Sequence, residues 1–131
     1  MNYMLDTNIC VFAIKKNLNV LSAIKDKKEN GLYISAITLS ELEHSACNSS
    51  YPEKNRIALM NFLSLMTSLS YDGKAAQEYG KLRTNLQKQG RLIGNMDMLI
   101  AAHAKSVNMT LVTNNTREFE RVKGLAIEDW T

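Results

Sequence analysis

Short runs of β-forming residues alternate with longer helix-periodic segments along the whole chain, and the connections between them are too long for hairpins. Strands joined by such crossovers lie parallel. The pattern therefore predicts an α/β fold: a central, mostly parallel sheet of about five strands with helices on both faces. The 131 residues hold one proline and six glycines, which leaves no flexible linker and suits one domain over residues 1–131.

The first run, Tyr3-Met4-Leu5, leads straight into Asp6, Thr7 and Asn8, and a second apolar-periodic stretch, Ile9 to Ile14, follows at once. A buried strand thus delivers a carboxylate to its own carboxyl end, where a helix begins with Asn8 placed to cap it. Ligands of open α/β sheets bind at that edge. Further along, Leu18, Leu21 and Ile24 line one face of a short helix, and Leu32 to Ser35 reads as a strand. Thr38 opens a helix reaching about Cys47. Pro52 starts another, with Ile57, Leu59, Met60, Leu63 and Met66 inward. Thr67 to Tyr71 is a short strand, and Asp72 caps a long helix that ends at Gln89 before Gly90. Asn95 caps a helix running past His103. Met109 to Thr113 is a strand, Asn114 to Glu118 a loop or helical turn, and Leu125 to Ile127 a last edge strand.

Four acids fall just past a strand or at the start of a helix: Asp6, Glu41, Asp97 and Glu118. Parallel crossovers bring all strand carboxyl ends to one side of the sheet, so these residues can converge. Each has a structural alternative except the first. Thr38-x-x-Glu41 spells a capping box. An acid at Asp97 suits a helix N-terminus by roughly 0.3–1 kcal/mol whatever its function. Glu118, three residues after Asn115, can also serve a cap. An acid such as Asp6 at the end of a buried strand gains little without a cation or a specific donor. Converging carboxylates repel unless a cation neutralises them. Oxygen-only ligation suits Mg²⁺, with Mn²⁺ able to substitute, rather than Zn²⁺. Such an ion activates water and stabilises a leaving oxygen, which is the chemistry of phosphodiester hydrolysis. Thr7, Asn8, Thr113 and Asn115 fit as supporting donors around the acids. His44 and His103 read as structural.

The net charge is +3, from 16 basic and 13 acidic residues. With four acids in a pocket, nine remain and the rest of the chain carries +7, a surface suited to a polyanion. Lys15, Lys16, Arg91 and Arg117 are the candidates to hold phosphates. Cys10 and Cys47 lie in apolar contexts and read as two buried thiols of a reducing compartment. No basic segment and apolar run opens the chain, and no stretch approaches the roughly 18 apolar residues of a membrane span. A cytoplasmic protein without a membrane partner is expected.

Four stretches taken in order resemble the PIN-domain ribonucleases, and specifically the VapC toxins of type II toxin–antitoxin systems. They are Met4-Leu5-Asp6-Thr7-Asn8, Ile37-Thr38-Leu39-Ser40-Glu41-Leu42, Asn95 through Ala104, and Leu111-Val112-Thr113-Asn114-Asn115-Thr116-Arg117-Glu118-Phe119. The closing Ile127-Glu128-Asp129-Trp130 is similar to the end of such toxins. The resemblance implies a single PIN domain of three α/β/α layers and a metal-dependent endoribonuclease that inhibits translation and growth. It implies structured RNA, notably tRNA, as substrate, a homodimer, and a VapB-type antitoxin through which alone operator DNA is bound. By position, Asp6, Glu41 and Asp97 match the family's acidic triad, with Asp6 and Asp97 as metal ligands. Where many members carry an aspartate two residues after the strand-end threonine, this chain has Asn115, and Glu118 stands in for it.

Two other functions compete. An aspartyl-phosphate phosphatase would use Asp6 as nucleophile, but such enzymes commonly carry a second aspartate two residues on, where this chain has Asn8. A non-catalytic partner-binding subunit would be indifferent to metal and to the acids.

Overall fold

A computed structural model describes all 131 residues. Five short strands, β1 (Tyr3–Leu5), β2 (Leu32–Ser35), β3 (Thr67–Leu69), β4 (Thr110–Val112) and β5 (Ile127–Glu128), lie in the order β3-β2-β1-β4-β5. Every pairing is parallel. The chain first builds outward from β1 through β2 to β3, then returns to the other side of β1 with β4 and β5. The switch point of the sheet therefore falls between β1 and β4, where open α/β sheets form their ligand crevice.

The helices are α1 (Thr7–Ile14), α2 (Leu18–Lys27), α3 (Ala36–Cys47), α4 (Pro52–Leu63), α5 (Gly73–Lys88), α6 (Asn95–Ser106) and the single turn α7 (Thr116–Phe119). Alternation along β1 divides the core in two. Tyr3 and Leu5 pack with residues of α1 to α4, whereas Met4 packs with α5 and α6. Met4, Leu5, Leu111 and Val112 are wholly buried. Each contributes about 1.5–3 kcal/mol relative to exposure. Near the C-terminus Trp130 meets Tyr3 edge-on at 5.2 Å, and the Lys27 ammonium lies 5.7 and 5.8 Å from the two ring centres. Lys27 thereby has a local structural role. Gly31, at φ +90°, turns the chain into β2; a Cβ there would come within 2.8 Å of Asn2 Oδ1 and 2.9 Å of the Tyr33 ring.

Several local expectations are corrected. Asp6, not Asn8, caps α1, because the backbone stays extended at Asp6 (φ −66°, ψ 158°) and turns helical at Thr7. Ser35 rather than Thr38 caps α3, and the extended backbone at Gly94 precedes α6, leaving Asn95 inside the helix. Leu18 is 81% exposed at the first position of α2, and Val20 with Ile24 forms the buried face. On α4, Ile57 and Met60 are 61% and 62% exposed while Leu59 and Phe62 are buried. That helix lies at the periphery and needs only one apolar stripe. Cys10 is buried, but Cys47 is exposed at the end of α3, beyond the packed Leu42 and Ala46. No helix is long and apolar enough to cross a membrane.

Candidate active site

Asp6 occupies the carboxyl end of β1 and is 3% exposed. Its backbone N–H donates to the Val112 carbonyl at 2.9 Å, fixing it beside β4. Its Oδ1 accepts the Thr7 N–H at 2.8 Å, and its Oδ2 accepts the Thr113 hydroxyl at 2.9 Å. The Thr113 oxygen in turn accepts the Asn115 N–H at 3.0 Å. Burial pushes the Asp6 carboxyl above the ordinary aspartate range, the two donors pull it back, and the charge of Glu41 raises it again. The carboxylate is held, but not neutralised.

Glu41 arrives from the second turn of α3. The Thr7 hydroxyl donates to its Oε1 at 2.6 Å, a short bond of the charge-assisted kind, and the Thr38 hydroxyl lies 3.3 Å from that of Thr7. Glu41 is therefore tied to the β1–α1 junction across 34 residues of sequence and does not close a capping box with Thr38. Glu118 sits on α7, where the Asn115 side-chain N–H donates to its Oε2 at 3.1 Å.

Asp97 is the third residue of α6 and half-buried. Its carboxyl leans back over Gly94, where a Cβ would stand 3.4 Å from Oδ2. Burial, then the charges of Asp6, Glu118 and Glu41, push this carboxyl up to about 6. The four acids thus share one electrostatic neighbourhood at the β1–β4 switch point. The chain's ion pairs join Arg56 to Glu43, and Lys81 and Lys105 to Glu78; none reaches the four acids.

The acids lie within one another's field without closing on a single point. No three Asp, Glu, His or Cys side chains form a group already set to hold an ion. A hydroxyl or amide partner anchors Asp6, Glu41 and Glu118 separately. This donor set fits a hard divalent ion that keeps several waters and takes only one or two carboxylates, and it does not fit a closed four-ligand zinc site.

Of the expected supporting residues, Thr7, Thr113 and Asn115 each bond one acid, whereas Asn8 is exposed and bonds none. Arg117 is exposed on α7 beside Glu118, and Arg91 is exposed in the link between α5 and α6. Lys15 and Lys16 follow the far end of α1, about 14 Å along its axis from Asp6. They border apolar grooves between α1 and α4 instead of the acids. His44 is exposed in the last turn of α3. His103 is buried, its Nδ1 2.7 Å from Ser35 Oγ, and burial holds its pKa below the usual histidine range. Sequence reasoning missed Ser35 and Gly94. Ser35 caps α3 through the Ile37 N–H at 3.1 Å and also ties α3 to α6 through His103. A serine ending a β-rich run before a helix was a cap signal.

The PIN-domain profile matches residues 3–125. The chain is 44% identical over 131 residues to the tRNA(fMet)-specific endonuclease VapC of Shigella flexneri, spanning 100% of this chain and 99% of that protein. It is 45% identical over 131 residues to ribonuclease VapC2 of Haemophilus influenzae, spanning 99% and 98%. It superposes on a chain of Rickettsia felis VapBC2, solved bound to a promoter DNA fragment, with TM-score 0.96, 41% identity and full coverage of both chains. Its likeness to a chain of DNA-bound VapBC from Salmonella typhimurium has TM-score 0.95 at 41% identity, covering 100% and 99%.

Proposed function

Since this chain belongs to the PIN-domain family, and within it to the VapC ribonucleases of toxin–antitoxin systems, we propose that its four clustered acids cut RNA with the help of a bound divalent ion. The chain is an endoribonuclease and the toxin of its pair. The observation that carries the proposed mechanism is the crowding of Asp97 by Asp6, Glu118 and Glu41 with no cation among them.

In this mechanism Asp6 and Asp97 are the metal ligands. Mg²⁺ is the working ion, with Mn²⁺ able to replace it. When bound, the ion supplies Lewis acidity to the scissile phosphate and acidity to a water. The chain's own residues do the positioning. Thr113 and the Thr7 N–H fix the Asp6 oxygens. The Thr7 hydroxyl aims Glu41, which orients the attacking water and takes its proton. Glu118, steadied by Asn115, completes the acidic wall. Arg91 and Arg117 flank it as phosphate contacts.

The substrate we infer is structured RNA, tRNA in particular, in line with the name of the Shigella relative. The inferred partner is a VapB-type antitoxin, in line with the VapBC complexes. An apolar groove of about 470 Å³ between α1–α2 and α4, with Ile57 and Leu65 exposed at its lip, supports docking of part of that partner. The functional unit proposed is a cytoplasmic homodimer of single-domain chains, contacting operator DNA only through the antitoxin.

Asp6→Asn tests the centre. The variant should fold, lose saturable Mn²⁺ binding by calorimetry, and fail to cleave a labelled tRNA. Full cleavage by this variant would refute the assignment.

A further inference from the structure

Away from the acids, α5 and residues 121–124 form the walls of a cleft of about 350 Å³. Helix α6 lies beneath it, with Ala101, Ala102 and Ala104 wholly buried. Four cations line the cleft, Lys81, Lys105, Arg121 and Lys123, against one acid, Glu78. Glu78 meets Lys81 and Lys105 only at 3.8 and 3.9 Å, so the lining keeps a charge of +3. The proposed mechanism uses none of these residues.

The cleft is built. Gly124, at φ +81°, makes the left-handed turn that brings the Lys123 carbonyl to the Lys105 ammonium at 2.9 Å. A Cβ on Gly124 would meet the end of that lysine at 3.7 Å. One ammonium is therefore fixed in place before any ligand arrives. Arg121 is under-used: Nη1 donates to the Leu92 carbonyl at 3.3 Å, while the shielded Nε has no acceptor. Its other donors are free for an anion. Leu82 and Val122 make a buried floor and offer no apolar anchor to a protein.

Short chain connections join the cleft to the elements that carry Glu118 and Asp97. Arg121 follows Glu118 by three residues, and the Leu92 carbonyl it holds lies in the link that opens α6 and Asp97. Lys105 stands eight residues down α6 from Asp97, about 12 Å along the axis. Along α5, Lys74 and Lys88 flank the cleft's Lys81 at seven-residue intervals, about 10.5 Å apart. Glu78 is the sole acid of that helix. A line of separated cations beside a pre-formed basic cleft matches a continuous polyanion.

We infer that this cleft is a second phosphate-binding site, which holds the sugar–phosphate backbone of the RNA a few nucleotides from the bond being cut. The inference rests on the ribonuclease mechanism above for the identity of the polyanion. Backbone contacts of this kind give affinity without sequence preference.

The test is the double variant Lys81→Gln/Lys123→Gln, both positions exposed and outside the acidic centre. Binding of a fluorescein-labelled stem-loop RNA is followed by anisotropy in EDTA across a salt series. The site predicts a Kd raised about tenfold at low salt and a log–log salt slope reduced by about 1.4–1.8, at 0.7–0.9 per phosphate contact. Cleavage of a dinucleotide, too short to span both sites, should keep its wild-type rate in Mg²⁺. Unchanged RNA affinity and slope would overturn the site. So would lost affinity for an antitoxin with RNA binding intact. Because the binding arm is metal-free, a wild-type chain that binds RNA with the expected slope yet cleaves nothing supports the cleft while refuting the acidic centre.

Discussion

Replacing Asp97 with asparagine should stabilise the metal-free protein at neutral pH and abolish its response to metal. The carboxyl stands at about 6 against an ordinary 3.8, first through burial and then through three neighbouring anions. A raised carboxyl pKa favours the folded state only while the group is protonated. Its contribution is therefore fully present below the unfolded value near 4 and is lost as pH climbs through about 6. At 1.36 kcal/mol per unit the full conversion gives a cost of about 3 kcal/mol above that pH. The side chain is half open to solvent, and screening brings this to about 1–1.5 kcal/mol. Asparagine gives up the favourable charge in the first turn of α6, roughly 0.3–1 kcal/mol, so the net gain is at most about 1 kcal/mol. For a chain of this size that is a Tm rise of up to about 4 °C, read by circular dichroism in EDTA. The gain should fade on acidification from about pH 7.5 to about pH 4.5, because the wild-type carboxyl takes up its proton. Adding Mg²⁺ should then reverse the order. The wild type gains stability with the logarithm of free metal, and the variant, lacking one ligand, gains little. A variant less stable than wild type in EDTA at neutral pH, or an equal response of both to Mg²⁺, would refute the idea that repulsion at Asp97 is what the ion relieves.

Thr113→Val removes the hydroxyl that donates to the buried Asp6 and accepts from the Asn115 N–H. Chemical denaturation should register a loss of about 1–3 kcal/mol, and Mn²⁺ titration a 10–100-fold weaker affinity; metal affinity at the wild-type value would mean that Thr113 does not orient the ligand. Thiol titration of the native protein should label Cys47 alone, since Cys10 is fully buried and its thiol pushed well above the ordinary range. Two native thiols reacting at equal rates would contradict the packing of α1 on the sheet.

The sheet was legible because crossover length and β-rich runs dictate parallel pairing, and β5 was misplaced by only two residues at an exposed edge. Asp6 and Thr113 were legible for the same reason, since strand ends adjoin once the strands are parallel. The caps were not. By type Asn8 caps no better than Asp6, and Asn95 caps better than Gly94, but the backbone leaves its extended state one or two residues earlier, where β1 must release the chain and where Asp97 needs room to lean back. Periodicity named the apolar stripe of α4 too broadly because it counts apolar residues and cannot tell a helix packed on the sheet from one at the rim. Ile57 and Met60 followed the helical period and still face outward. The Thr7–Glu41 bond lay beyond any local pattern, since its partners are 34 residues apart.

The charges of the proposed centre and of the basic cleft answer different needs. Four ionised carboxylates carry −4, and one divalent ion leaves −2, so even the loaded centre repels a phosphodiester approaching from a distance. Affinity for RNA has to come from elsewhere on the surface. The cleft lining supplies +3, and the lysine stripe of α5 extends that field beyond it. A net charge of only +3 for the whole chain conceals this separation. The division predicts that substitutions on α5 act on RNA affinity and its salt dependence, whereas substitutions of the acids act on metal affinity and the rate of the bound complex. A carboxylate substitution that tightened RNA binding while stopping cleavage is the expected sign of that split, because it removes repulsion and a metal ligand together.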